Sequence, residues 1–64
     1  MRHSEFWFRM ERTLGNGYAR SWADDQVLRE LDGRTPSQAL SDGDPPKAVW
    51  RAVWSALELP ASER

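Results

Sequence analysis

The stretch Pro45–Leu59, PPKAVWRAVWSALEL, decides how this chain folds. Wound at about 3.6 residues per turn, it places Val49, Trp50, Val53, Ala56 and Leu57 on one arc, with Trp54 at the arc's edge. Lys47, Arg51, Ser55 and Glu58 fall on the other side, so the pattern predicts an amphipathic helix with a wide apolar face. Two tryptophans four residues apart enlarge that face, since one aromatic side chain buries roughly 150–250 Å². Such a face has to be covered by the rest of the chain. Asp44 is placed to cap the first turn. Pro45 and Pro46 suit positions whose N–H groups have no helical partner, and Pro60 stops the helix.

Immediately upstream, Thr35-Pro36-Ser37-Gln38 has the form of a capping box with proline at the first helical position. It predicts a short helix over Pro36–Ser41 that contributes Ala39 and Leu40. Asp42-Gly43-Asp44 then turns the chain. Between Tyr18 and Leu31 the apolar residues do not share one face. Ser21-Trp22-Ala23-Asp24 is a second, weaker capping box, because Asp stands where Glu or Gln is preferred. The expectation is a turn over 17–21 and a helix over Trp22–Leu31, with one kinked helix as the alternative and Asp32-Gly33 as the stop. At the start, Ser4 is placed to cap a helix over Glu5–Leu14, whose Phe6, Trp7, Met10 and Leu14 share a face. Glu5 and Arg9 form an i,i+4 pair in the better orientation. Gly15-Asn16-Gly17 ends that helix, since Gly and Asn tolerate positive φ. Ala61–Arg64 has little to bury and is expected to fray. Nothing alternates like a strand. The reading is therefore one all-α domain over residues 1–64, with about four short helices around a core shared by Trp7, Trp22 and Trp50.

A chain of 64 residues buries only about 60% of its unfolded surface, so each core aromatic matters. Cysteine is absent, which removes disulfides, thiolate metal sites and thiol nucleophiles. Nine basic and ten acidic residues give a net charge of −1, which argues against a dedicated nucleic-acid binder. No apolar run approaches the ~20 residues of a membrane span. MRHSEF lacks the apolar core of a signal peptide, so a cytoplasmic location is expected. The charge is uneven: Arg2, Arg9, Arg12 and Arg20 make residues 1–20 mildly basic, and residues 21–46 are acidic.

No catalytic constellation is visible. The lone histidine, His3, reads as an exposed end residue. Asp42 and Asp44 lack the ligand number and spacing of a calcium loop. Gly15-Asn16-Gly17 is too short to cradle a phosphate and is followed by no Lys-Ser/Thr pair. Trp22–Leu40 has the outline of a helix-turn-helix, but Pro36–Ser41 carries no Arg, Lys or Asn to reach a base. No enzyme activity, metal or cofactor is expected. Phe8 stands apart. The helical wheel sets it among Glu5, Arg9, Glu11 and Arg12, away from the Phe6/Trp7/Met10 face, and aromatics with Arg are enriched at interface cores.

Several motifs run together along the chain: Glu5-Phe6-Trp7 with Arg9-Met10, Tyr18-Ala19-Arg20-Ser21-Trp22-Ala23, and Val27-Leu28 with Glu30-Leu31 and Gly33-Arg34-Thr35. Ala39-Leu40 and Val49-Trp50-Arg51-Ala52-Val53 follow. Over about residues 1–60 the chain resembles a family of small actinobacterial proteins of unknown function, the domain-of-unknown-function family numbered three-zero-four-six. The resemblance implies a cytoplasmic bacterial protein with no assigned activity, often encoded beside the recombinase RecA and its regulator RecX. It carries over no catalytic residue. This chain departs from the family pattern in having Trp54 where a small residue, often Cys, is usual. It also has Phe8 where a polar residue is usual and Asp32 where Gly is usual. The first two departures add aromatic surface.

Residues and resemblance together lead to a small protein-interaction module, with a link to the regulation of DNA repair or recombination implied by the resemblance. Phe8, Arg9, Arg12 and Trp54 are the candidate partner-binding residues. Weak nucleic-acid binding through Arg2, Arg9, Arg12 and Arg20 is the alternative.

Overall fold

The computed structural model describes residues 1–64. It has four helices: α1 His3–Leu14, α2 Asn16–Asp25, α3 Pro36–Ser41 and α4 Pro46–Ala56. A 3₁₀ turn over Arg29–Leu31 lies between α2 and α3, and a second over Ala61–Glu63 follows α4. The only strand-like pairing is one antiparallel bridge, Leu28 with Arg34. The fold is the all-α single small domain that the pattern predicts.

α4 is the central element. Val49, Trp50 and Val53 are fully buried and Ala52 nearly so. Around them pack Phe6 and Met10 of α1, Ala19 and Ala23 of α2, Leu28, Leu31 and Ala39. Phe6 meets Trp50 edge to face at 6.4 Å and Trp7 at 5.1 Å, the arrangement that the ring quadrupole favours. Of the three tryptophans expected in the core, only Trp50 lies at its centre. Trp7 and Trp22 are half-buried against its edge, as suits a side chain too large to be enclosed readily in a small domain. Ala56, expected on the buried arc, is exposed because α4 ends there.

The limits of α1, α2 and α4 differ from expectation. α1 starts at His3, not Glu5. The Phe6 N–H already bonds to the Arg2 carbonyl at 3.0 Å, so Ser4 lies inside the first turn and caps nothing. α2 starts at Asn16, so Ser21 is interior and the expected 17–21 turn is helical. Gly15 alone makes the break. At φ 92 its N–H closes α1 on Glu11 at 2.8 Å, and its carbonyl opens α2 by accepting from Ala19 at 3.0 Å. α2 then stops at Asp25, and neither a helix over 22–31 nor a kinked one forms. The 3₁₀ turn brings positions three apart onto one side, and Leu28 and Leu31 both enter the core. Asp32 at φ 58 and Gly33 at φ 81 reverse the chain after it.

α3 has the predicted limits, and Thr35 Oγ1 accepts from the Gln38 N–H at 3.1 Å. α4 begins at Pro46 with Pro45 in the capping position, so Asp44 is not its cap. Its end is made by Glu58 at φ 53, with the Leu59 N–H bonded to the Trp54 carbonyl at 3.1 Å, a left-handed helix stop that usually takes glycine. Where a fraying tail is expected, Ala61–Glu63 form a 3₁₀ turn, and two indole N–H groups of α4 find their acceptors at Pro60 and Glu63.

Candidate interaction surface

Phe8 lies on the outer face of α1 and is 61% exposed. The sequence places it off the core arc because Phe6 and Met10, four apart, take the buried stripe. Its ring is not isolated. The Arg12 guanidinium, one turn on, lies 5.7 Å from the ring centroid. Arg12 also donates to Glu63 Oε1 at 3.1 Å. Arg9 donates to Glu5 Oε2 at 3.2 Å, reaches the Arg64 carbonyl at 3.4 Å and sits 5.8 Å from the Trp50 ring.

Trp54 is half-buried at the border of the core. Its Nε1 donates to the Pro60 carbonyl at 2.8 Å, and the Arg64 guanidinium lies 5.0 Å from its ring. Trp50 Nε1 donates to the Glu63 carbonyl at 2.8 Å. The structure therefore brings Arg9, Arg12 and Trp54 together on segment 60–64, and Phe8 joins them through Arg12. The residues that sequence reasoning passed over are Pro60, Glu63 and Arg64. The one available signal was that a core tryptophan needs an acceptor for its N–H.

The basic first segment is largely engaged. Arg20 lies 3.8 Å from the Trp7 ring. With Arg9, Arg12 and Arg64 this makes four arginine–aromatic contacts in 64 residues. All four guanidinium groups lie within about 6 Å of a ring centroid, the range of the cation–π attraction. Arg2 is exposed and makes none of these contacts. Two shallow hollows flank the outer side of α4. One of about 340 Å³ is lined by Pro45, Lys47, Ala48 and Arg51, and one of about 240 Å³ by Arg51, Trp54, Ser55 and Arg64. Ser55 donates to Glu30 Oε2 at 3.2 Å, which sets a carboxylate beside the second hollow.

Asp42 and Asp44, weighed above as metal carboxylates, are held by Arg34. Its guanidinium donates to Asp44 through Nη2 at 2.8 Å and Nη1 at 3.2 Å, to Asp42 at 3.2 Å, and through Nε to the Leu31 carbonyl at 2.9 Å. Hydrogen bonding to Asp44 and then Asp42 raises the Arg34 pKa further above its ordinary value. The hydrogen bond from Arg34 holds the Asp44 carboxyl below its usual range. The cluster ties the turn before α3 to the turn before α4. His3 is exposed at the start of α1.

The family model described as protein of unknown function (DUF3046) matches residues 1–62. The chain belongs to this family. No curated protein and no solved structure matches it. The match spans all four helices and reaches Ser62, so Phe8, Arg9, Arg12 and Trp54 lie within it and Glu63 and Arg64 lie beyond it. No helix is long and apolar enough to cross a membrane.

Proposed function

We propose that this chain is a cytoplasmic protein-interaction module without catalytic activity. It engages its partner through Phe8, Arg9 and Arg12 on the outer face of α1, with Trp54 at the border. The observation that carries this reading is Phe8 itself, 61% exposed and held under the Arg12 guanidinium on a helix whose core stripe is already complete. A fixed aromatic bordered by arginines is the composition favoured at interface cores. Support for a non-catalytic role comes from the exposed position of His3 and the binding of Asp42 and Asp44 by Arg34. The link to recombination or its regulation rests on gene neighbourhood in the family, which is an association and not a mechanism.

The test is capture by the immobilised chain from an extract of the source cell, with mass spectrometry, comparing the unaltered chain with Phe8→Glu. Loss of a specific captured protein at unchanged stability supports the proposal. Equal capture by both chains removes Phe8 from it. Nucleic-acid binding through Arg2, Arg9, Arg12 and Arg20 ranks second, because three of those four already hold aromatics or carboxylates.

A further inference from the structure

We infer that the seam where Arg9 and Arg12 of α1 lie beside Trp50 and Trp54 of α4 is a peptide-binding surface that residues 60–64 of the chain occupy in cis. Its external ligand is an acidic peptide segment that offers a carboxylate to Arg12 in place of Glu63. This deepens the interaction proposed above by naming the partner's chemistry, and it shares Arg9, Arg12 and Trp54 with that reading.

The way segment 60–64 is held carries the argument. Three donors from the body of the fold meet three of its main-chain carbonyls. They are Trp54 Nε1 on Pro60, Trp50 Nε1 on Glu63, both at 2.8 Å, and Arg9 on Arg64 at 3.4 Å. Main-chain carbonyls are common to every peptide, so these donors accept any segment that lies the same way. Only one side chain of the segment is read through an ion pair, Glu63 by Arg12 at 3.1 Å.

The hold is also exchangeable. No residue of the second 3₁₀ turn is buried, and the one apolar contact beside it is Leu59, half-buried against the core. The Arg12–Glu63 side chains are 54% and 32% exposed, and such a pair contributes little in water. The segment joins α4 through Glu58, held at φ 53, a conformation unfavourable for a residue with a side chain. If the segment leaves, the buried Trp50 loses the acceptor for its N–H, and an unpaired donor there is costly. A second peptide that restores the acceptor and the carboxylate is the natural replacement.

The probe is a capped peptide of the sequence of residues 59–64, LPASER, titrated into the full chain. Binding is read from the Trp50 and Trp54 indole N–H resonances. The expected result is weak binding to the unaltered chain, because its own segment competes. Glu63→Lys in the chain weakens that competitor and tightens binding of the peptide by about two- to fivefold. Arg12→Glu reverses the preference, so that the chain takes a peptide carrying Glu63→Lys better than the unaltered peptide. Arg12→Gln, used if the charge reversal unfolds the chain, brings the two peptides close to parity. Indole signals that stay still at millimolar peptide with the folded Glu63→Lys chain overturn the inference. So does a peptide preference that ignores the charge at position 12. Phe8→Ala, which sets no carboxylate beside Arg12, leaves this peptide's binding unchanged, so the two proposals fail separately.

Discussion

Trp50 is enclosed by residues of α1 and α4, and its one polar atom is satisfied by the Glu63 carbonyl. Removing such a side chain leaves a cavity, and Trp→Ala at a core site costs about 3–5 kcal/mol. In a domain with a total stability of order 5 kcal/mol, Trp50→Ala should leave the chain largely unfolded. A thermal melt with an unchanged midpoint would show that the core does not depend on it. Phe8 is the contrasting case. It contributes exposed ring and one contact with Arg12, so Phe8→Glu should shift the melting temperature by no more than a surface substitution does, within about 0.5 kcal/mol. A large loss of stability there would place Phe8 in the fold and withdraw it from the partner surface.

Among the elements, α3 depends most on its cap. It has six residues, too few for much helical stability of its own. The Thr35 side chain supplies the acceptor for the Gln38 N–H. Thr35→Ala should therefore destabilise by about 1 kcal/mol, read from the midpoint of denaturant unfolding. An unmoved midpoint would mean that the cap contributes nothing. α4 has the opposite problem at its far end. Glu58 takes a left-handed conformation that costs a side-chain-bearing residue about 1 kcal/mol relative to glycine. Glu58→Gly should raise stability, or at least leave it unchanged, since glycine also loosens the unfolded chain. A clear fall in midpoint would show that the Glu58 side chain has a stabilising contact.

At the scale of the whole molecule, the acidic middle is stitched to itself by Arg34, and this predicts a pH dependence. The Arg34 hydrogen bond holds the Asp44 carboxyl below its ordinary value. The unfolded chain therefore takes up that proton more readily than the folded one, and stability falls as pH drops through the carboxylate range. Denaturation midpoints between pH 7 and pH 2 should fall less for Asp44→Asn than for the unaltered chain. Parallel curves would mean that the pair has no net effect. The distribution of arginines bears on nucleic acid in the same way. Arg9, Arg12 and Arg20 are engaged within a domain of net charge −1. Any DNA binding should be weak and lost by physiological salt, as counterion release requires. Fluorescence anisotropy at low and moderate salt checks this, and tight binding that survives moderate salt would reverse the ranking of the two functions.

Features that depend on neighbours along the chain were legible before any tertiary contact was known. The Thr35 cap and the limits of α3 come from four consecutive residues, and the Phe6/Met10 and Val49/Trp50/Val53 stripes come from helical spacing. The outward position of Phe8 follows from the same spacing. Tertiary packing decided the rest. Ser4, Ser21 and Asp44 are all good capping residues, but none caps a helix, because backbone bonds at Arg2 and Gly15 and the pull of Arg34 came first. The stretch after Asp25 leaves the helix because Leu28 and Leu31 reach the core only through a tighter turn. Segment 60–64 has no apolar pattern to announce it. It is ordered by acceptors that Trp50 and Trp54 need, and a hydrogen bond between residues 13 apart is legible only once α4 is packed and its indole N–H groups have a direction.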